Sequence, residues 1–294
     1  MLESHMLEFR DLISPTTPDV FFAEHWQKKW ILLRDEHEVR NALLDWDFFA
    51  RLVEVKNLRF KHKVDFVLDD YDIHSPIDIR DGMNFHGVER LNFLCQNQMG
   101  LKFSKLQHLP GDFETLSLQL HNYLKEQINI NAYFSPPGTG HALAPHADPY
   151  DVFVIQLFGE KTWQLSESPK SSSETLITKK GDVLYIPRKT WHAALNEGEE
   201  ASMHLTIGVL SITAKDVLEW VGEQTLRKAK HMAPFPLDIK LSKASRAREE
   251  QMQEMLHLLA EVINDNGAYQ KFMKDRFKKE YACSTSNPQI YRGH

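Results

Sequence analysis

Cysteine is almost missing from this sequence: two residues in 294, Cys95 and Cys283, without the paired spacing of a thiolate metal site or a disulfide framework. With so little cysteine, and no opening segment of the kind that directs secretion, the protein is expected in the reducing cytoplasm. Long hydrophobic runs are missing too, since none approaches the roughly 18 residues that a membrane span needs. Positive charge is in short supply, with 35 Lys and Arg against 41 Asp and Glu and a net charge of −6. That balance argues against direct nucleic-acid binding and would suit a cationic substrate. No internal repeat or low-complexity tract occurs. What remains, 42% hydrophobic and 26% charged residues, is the composition of a globular chain able to bury a substantial core. The length suits one large domain with an appendage, or two domains.

Periodicity divides the chain into an N-terminal flank of mixed helix and strand (1–128), a strand-rich core (129–212) and a helical C-terminal region (213–294). In the flank, Pro18-Asp19 opens a pattern with Phe21, Phe22 and Trp26 at helical spacing. A second helix is expected over 114–125, with Leu116, Leu120, Tyr123 and Leu124 on one face. In the core, strands are expected at 130–135, 151–157, 162–166, 183–186 and 203–210. Turns at Pro136-Pro137-Gly138, Gly159-Glu160, Gly181-Asp182 and Asn196-Glu197-Gly198 separate them. Short strands at that density without intervening helices indicate a sandwich or barrel, so the fold class is mainly β with α. Thr213-Ala-Lys-Asp216 looks like a helix start, and that helix gives way at Pro234-Phe235-Pro236. Further on, Met252, Met255, Leu256, Leu259 and Val262 recur at helical spacing, a stripe that suits a core or a dimer face. The basic segment 271–279 reads as a solvated helix face.

Within the core, His146 and Asp148 stand two residues apart on an extended segment, so their side chains project to the same side. His192 follows a buried strand that Pro187 stops, which places it at a sheet rim. Two imidazoles and one carboxylate on one face of a metal leave three octahedral positions open, the arrangement of non-haem Fe(II) oxygenases. Fifteen histidines also make a chance His-x-Asp plausible, and a lone histidine is as readily a satisfied surface or core residue. Lys161, beside the Gly159 turn, is by composition an exposed hairpin lysine. A lysine leading into the apolar strand of Trp163 also has the option of pointing inward.

The core resembles the Jumonji C oxygenases of the cupin fold, specifically their ribosomal-oxygenase branch. The likeness rests on NAYFSPPG at 131–138, PHAD at 145–148, DVFVIQL at 151–157, GEKTW at 159–163, GDVLYIPR at 181–188, Trp191-His192 and SMHLTI at 202–207. The segment FFAEHWQKKW at 21–30 resembles that branch's entry segment, with Trp30 where proline is usual. The resemblance implies a double-stranded β-helix core, Fe(II) held by His146, Asp148 and His192, and 2-oxoglutarate as co-substrate. It implies Lys161 for the distal carboxylate, Tyr133 and Asn131 as further co-substrate contacts, and His204 and Ser202 lining the pocket or supporting the ligands. Gly208 departs from the family's frequent serine. The loop from Tyr133 to His146 is one residue longer than the family pattern.

The implied reaction is hydroxylation of an amino-acid side chain in a protein or peptide, a ribosomal protein among the candidates. The helices of 213–264 fit the branch's dimerising region, so a homodimer is expected. The stretch that follows is short for the branch's winged helix, which leaves a peptide of a modification pathway as a competing substrate. A non-catalytic metal- or small-molecule-binding cupin is the alternative from another class, and histone demethylation is a third reading.

Overall fold

The computed structural model describes residues 7–34, 64–67, 96, 100–108, 111–138, 140–231 and 242–281. It divides into two compact units, Met1–Ser211 and Ile212–His294.

The first unit opens with α1 (Phe9–Ile13) and α2 (Pro18–Val20), the latter running into a π-helical turn over Phe21–His25. Thr17 caps α2 by accepting the Val20 amide, and Pro18 takes the first helical position, where a missing N–H costs nothing. The edge strand β1 (Ile31–Leu33) follows, then β2 (Val64–Val67), β3 (Gly100–Phe103) and α3 (Asp112–Leu124). Eight strands complete the unit: β4 (Gln127–Ser135), β5 (Gly140–Ala147), β6 (Asp151–Phe158), β7 (Lys161–Ser166), β8 (Glu174–Thr178), β9 (Val183–Ile186), β10 (Trp191–Asn196) and β11 (Ser202–Leu210).

All pairings are antiparallel. One sheet has the order β1-β9-β6-β11-β4-β3-β2 and the other β5-β10-β7-β8. The four-strand block β9-β6-β11-β4 and the second sheet form the double-stranded β-helix, as expected. The flank contributes β1, β2 and β3 to the larger sheet. Strand β10 is bulged against β5 between His192 and Leu195, a common way of re-aiming side chains at a rim.

The larger sheet has two unlike faces because side chains alternate along each strand. Ile128, Ile130, Ala132 and Phe134 of β4, Met203, Leu205, Ile207 and Val209 of β11, and Phe153, Ile155 and Leu157 of β6 point outward. They meet Leu12 and Ile13 of α1, Phe21, and Phe113, Leu116 and Leu120 of α3 in one apolar core. The opposite face encloses a second cluster of Val152, Val154, Trp163, Leu165, Leu184, Ile186 and Ala194. Buried polar residues Asn131, Gln156, Lys161, His192 and His204 accompany it. Burying such groups is tolerated only with partners or a function.

Of the strands read from the sequence, all five appear. Strands β1, β2, β3, β5, β8 and β10 have no counterpart among them. β8 exposes three of its five residues and β5 carries Gly140 and Pro145, so neither shows the apolar alternation on which a sequence reading depends.

The second unit contains α4 (Ala214–Lys228), α5 (Ser242–Ile263) and α6 (Ala268–Tyr281). Thr213 begins α4 with a capping box: its hydroxyl accepts the Asp216 amide at 3.3 Å, and the Asp216 carboxylate accepts the Thr213 amide at 2.7 Å. The Trp220 indole donates to Asp275 at 3.0 Å and its ring meets Phe272 edge-on. Pro234-Phe235-Pro236 lies outside the described residues.

Candidate metal centre

Strand pairing brings the two histidines together. His192 on β10 stands opposite His146 on β5, with ring centroids 4.4 Å apart. Asp148 follows immediately after β5, and its Oδ2 lies 3.7 Å from His192 Nε2. One ligand atom from each of the three residues falls within 4.8 Å of the other two. Among the described residues this is the one cluster of its kind.

His192 is prepared to donate a lone pair. His192 Nδ1 lies 3.0 Å from the Thr190 carbonyl, so Nδ1 carries the proton and Nε2 is left as the ligand atom. Burial holds the His192 pKa below its ordinary value, and the neighbouring His146 lowers it further against the opposing pull of the Thr190 carbonyl and Asp148. Neutral imidazole is the form a metal requires. Two nitrogens and one carboxylate oxygen therefore fit a divalent iron.

A small cavity of about 30 Å³ adjoins the cluster. Tyr133, His146, Asp148, His192, His204 and Thr206 give it a polar side, while Val152, Val154, Trp163 and Ile186 form apolar walls. His204 stacks on Tyr133 at 5.0 Å and meets the edge of Trp163 at 5.2 Å. It is 2% exposed, and its Nδ1 is buried without a hydrogen-bond partner. Burial, reinforced by the charge of Lys161, keeps the His204 pKa well below the usual histidine value.

Lys161 is 1% exposed at the start of β7, and its ammonium donates to the Ser135 hydroxyl. It points inward, not out from the hairpin. Asn131 and Ser202 are buried but stand outside the cavity lining. The Asn131 side-chain oxygen accepts the Lys105 amide at 3.0 Å. Ser202 belongs to a relay: the Trp163 indole donates to Thr178, Thr178 to Gln156, and Gln156 to Ser202.

Three contributors were not singled out as site residues in the sequence. Thr206 lines the cavity two positions after His204 on the same face of β11, so strand alternation from His204 would have found it. Tyr150 hydrogen-bonds Asp148, and burial followed by the Asp148 charge pushes its pKa up to about 12. Trp163 lines the cavity, with its ring centroid 6.4 Å from that of His192.

Residues 109–217 match the family described as JmjC domain. A Drosophila simulans protein named bifunctional lysine-specific demethylase and histidyl-hydroxylase NO66 is 32% identical over 249 residues, covering 74% of this chain and 28% of that protein. Ribosomal oxygenase 2 of Bos taurus is 28% identical over 229 residues, covering 68% of this chain and 46% of its own. The chain thus spans less than half the length of these relatives. Among solved structures, YcfD, a ribosomal oxygenase from Escherichia coli in complex with cobalt and 2-oxoglutarate, aligns with a TM-score of 0.57 at 20% identity. That alignment covers 88% of this chain and 70% of YcfD, and it shows a common fold.

Proposed function

We propose that this protein, whose residues 109–217 match the JmjC domain family, is an Fe(II)- and 2-oxoglutarate-dependent oxygenase that hydroxylates an amino-acid side chain of a protein or peptide. The observation carrying the proposal is the convergence of His146, Asp148 and His192, together with a lysine buried in the same barrel. A structural metal site has no use for an enclosed ammonium. An oxygenase that must seat a dicarboxylate does, and this favours catalysis over a non-catalytic cupin.

His146, Asp148 and His192 would hold the iron, which together with 2-oxoglutarate and dioxygen supplies the oxidising power that turns C–H into C–OH, with succinate and carbon dioxide as co-products. The chain's own residues do the rest. Lys161 and the Ser135 hydroxyl offer a cation and a hydrogen bond to the distal carboxylate. Neutral His204 and the Tyr133 hydroxyl offer polar contacts along the molecule between its ends. The walls of Val152, Val154 and Ile186 keep water from the reacting centre. Asn131 and Ser202 act one layer out, through the Lys105 backbone and the Gln156 relay.

A protein substrate accords with the names of the relatives, and a ribosomal protein is the first target to screen. The exposed apolar residues of α4 and α5, Leu218 at 70% and Leu226 at 67% with Met252 and Leu256, support a homodimer through the helical unit. Cytoplasmic residence and no direct nucleic-acid contact complete the reading, on the scarcity of cysteine and the acidic balance. Among the described residues no helix is long and apolar enough to cross a membrane.

Anaerobic loading with Fe(II) and 2-oxoglutarate, then admission of oxygen, tests the proposal through succinate release. Wild type is expected to form succinate and His146→Ala to form almost none. Succinate that persists in the variant overturns the site. Mass spectrometry of candidate substrates for the gain of one oxygen then identifies what is hydroxylated.

A further inference from the structure

Asp151 is fully buried at the start of β6, a place where an ionised carboxylate is costly unless every lone pair is engaged. Its partners come from two separate stretches of chain, Gln27 near the start of the unit and residues 185–188. Oδ1 accepts the Tyr185 hydroxyl at 2.8 Å and the Arg188 backbone amide at 3.3 Å. Oδ2 accepts the Gln27 side-chain amide at 3.3 Å and faces Arg188 Nε at 3.4 Å. Tyr185 in turn receives the Gln27 backbone amide at 2.8 Å. Of these partners, Arg188 is held twice, by its backbone and by its side chain.

Arg188 opens the turn between β9 and β10, and the next two residues reach the metal centre. Lys189, at φ +66°, donates its backbone amide to the Asp148 carbonyl at 2.8 Å. Thr190 closes the turn onto the Pro187 carbonyl at 3.2 Å. Its own carbonyl then accepts the His192 Nδ1 proton at 3.0 Å. Through the backbone of 188–190, hydrogen bonds therefore link one enclosed carboxylate to two of the three ligands, Asp148 just after β5 and His192 on β10. A left-handed lysine is a strained choice for such a turn, and the double grip on Arg188 is what holds it.

We infer that Asp151 is a positioning residue for the metal centre, fixing the 187–190 turn so that Asp148 and His192 keep a common geometry. The inference rests on the metal-centre reading above. Groups that orient metal ligands from outside typically change affinity by about 10- to 100-fold when removed. The isosteric change Asp151→Asn keeps the volume but replaces an acceptor-only group by one that has to present an amide to the same donors.

The test is Co(II) titration of the metal-free protein, following both the dissociation constant and the visible absorption band, with thermal unfolding measured alongside. Wild type is expected to bind Co(II) and His146→Ala to lose it; if wild type binds none, the metal-centre reading fails and not this inference alone. Asp151→Asn is expected to bind at least about tenfold more weakly, with an altered band. Tyr185→Phe, which removes one of the Asp151 bonds but leaves the turn held, is expected to lower the unfolding temperature with affinity and band unchanged. Arg188→Gln, at a partly exposed position, is expected to shift affinity in the same direction as Asp151→Asn, and it decides the matter if that variant does not fold. Wild-type affinity and band in Asp151→Asn, or in Arg188→Gln as its replacement, overturn the inference. So does a change in Tyr185→Phe as large as that in Asp151→Asn, which would reduce the effect to general stability.

Discussion

Gly208 lies against the ring of Tyr150: a Cβ placed there would stand 3.1 and 3.2 Å from two ring carbons. The missing side chain is what lets Tyr150 lean over β11 while its hydroxyl hydrogen-bonds Asp148. A serine, frequent at this position in the resembled family, would crowd the ring.

Gly208→Ser is accordingly expected to destabilise the protein by about 1 kcal/mol, the lower end of what overpacking costs. Urea unfolding measures this. Tyr150→Phe removes the bond to Asp148 and spares the packing, so it is expected to leave stability nearly unchanged while shifting the Co(II) absorption band. A band identical to wild type would show that the hydroxyl does not orient the carboxylate.

Lys161→Met should separate function from stability. Removing a charged donor costs roughly 1.5–3 kcal/mol of ligand binding, or about 10- to 100-fold in 2-oxoglutarate affinity. Metal affinity should stay at the wild-type value. The metal-free protein should be as stable as wild type or more so, because an apolar side chain no longer leaves a charge to be buried. Calorimetric titration with 2-oxoglutarate and a thermal melt check both halves, and unchanged co-substrate affinity would remove Lys161 from the site.

Acid should destabilise the metal-free protein through its buried histidines. His192 and His204 both have folded pKa values lowered by burial, relative to an ordinary value of 6.5. Between the folded value and 6.5 the unfolded chain binds protons that the folded chain refuses, so stability falls as pH drops through that window. Above about pH 7 both states are neutral at these residues and the contribution is flat. His204→Asn is expected to make the decline shallower. Melting temperatures measured from pH 8 to pH 5 test this, and a decline as steep in the variant would exonerate His204.

Gly159→Ala should be far more severe than any change above. Gly159 has φ +62°, and a Cβ would sit 2.2 Å from the backbone oxygen of Ala201. Neither the backbone nor the turn has room to give, so the cost is expected on the order of 4 kcal/mol or more. Denaturant unfolding of the variant, or its failure to yield folded protein, is the measurement.

Leu226→Glu and Leu218→Glu address self-association. Both positions are largely exposed on α4, so neither charge should harm the fold. Sedimentation of wild type as a dimer and of the double variant as a monomer is expected. A monomeric wild type would remove the homodimer from the proposal.

The parts of this molecule legible in the sequence are those written in alternation or in turn chemistry. Asp151 to Leu157 reads as a buried strand because Val152 to Ile155 and Leu157 are apolar and mostly strand-forming, and Gly159 and Gly181 mark turns that only glycine makes easily. The triad was legible because side chains two apart on a strand share a face, and because the surrounding motifs resemble one family. Other features depend on pairing across the fold. The exposed β8 and the proline-bearing β5 look like loops until a neighbouring strand supplies their hydrogen bonds. Asn131 shares a face with Tyr133 in sequence, yet its oxygen is taken by the Lys105 backbone, a partner that no local pattern announces. Tyr150 reads as an ordinary residue between two motifs and Asp151 as the plain start of a strand, and only the folded turn at 187–190 reveals what Asp151 reaches.

Strand β11 carries His204 and Leu205 back to back, one turned toward the iron-binding chamber and the other toward the helices. Anyone redesigning this protein therefore works on a sheet whose two sides answer to different demands. Exchanges at 204 and 206 retune what the chamber admits, whereas exchanges at 203, 205, 207 and 209 decide whether there is a chamber at all. Deleting a single residue within the strand would swap the two sets, lining the chamber with methionine and leucine and burying histidine against phenylalanine.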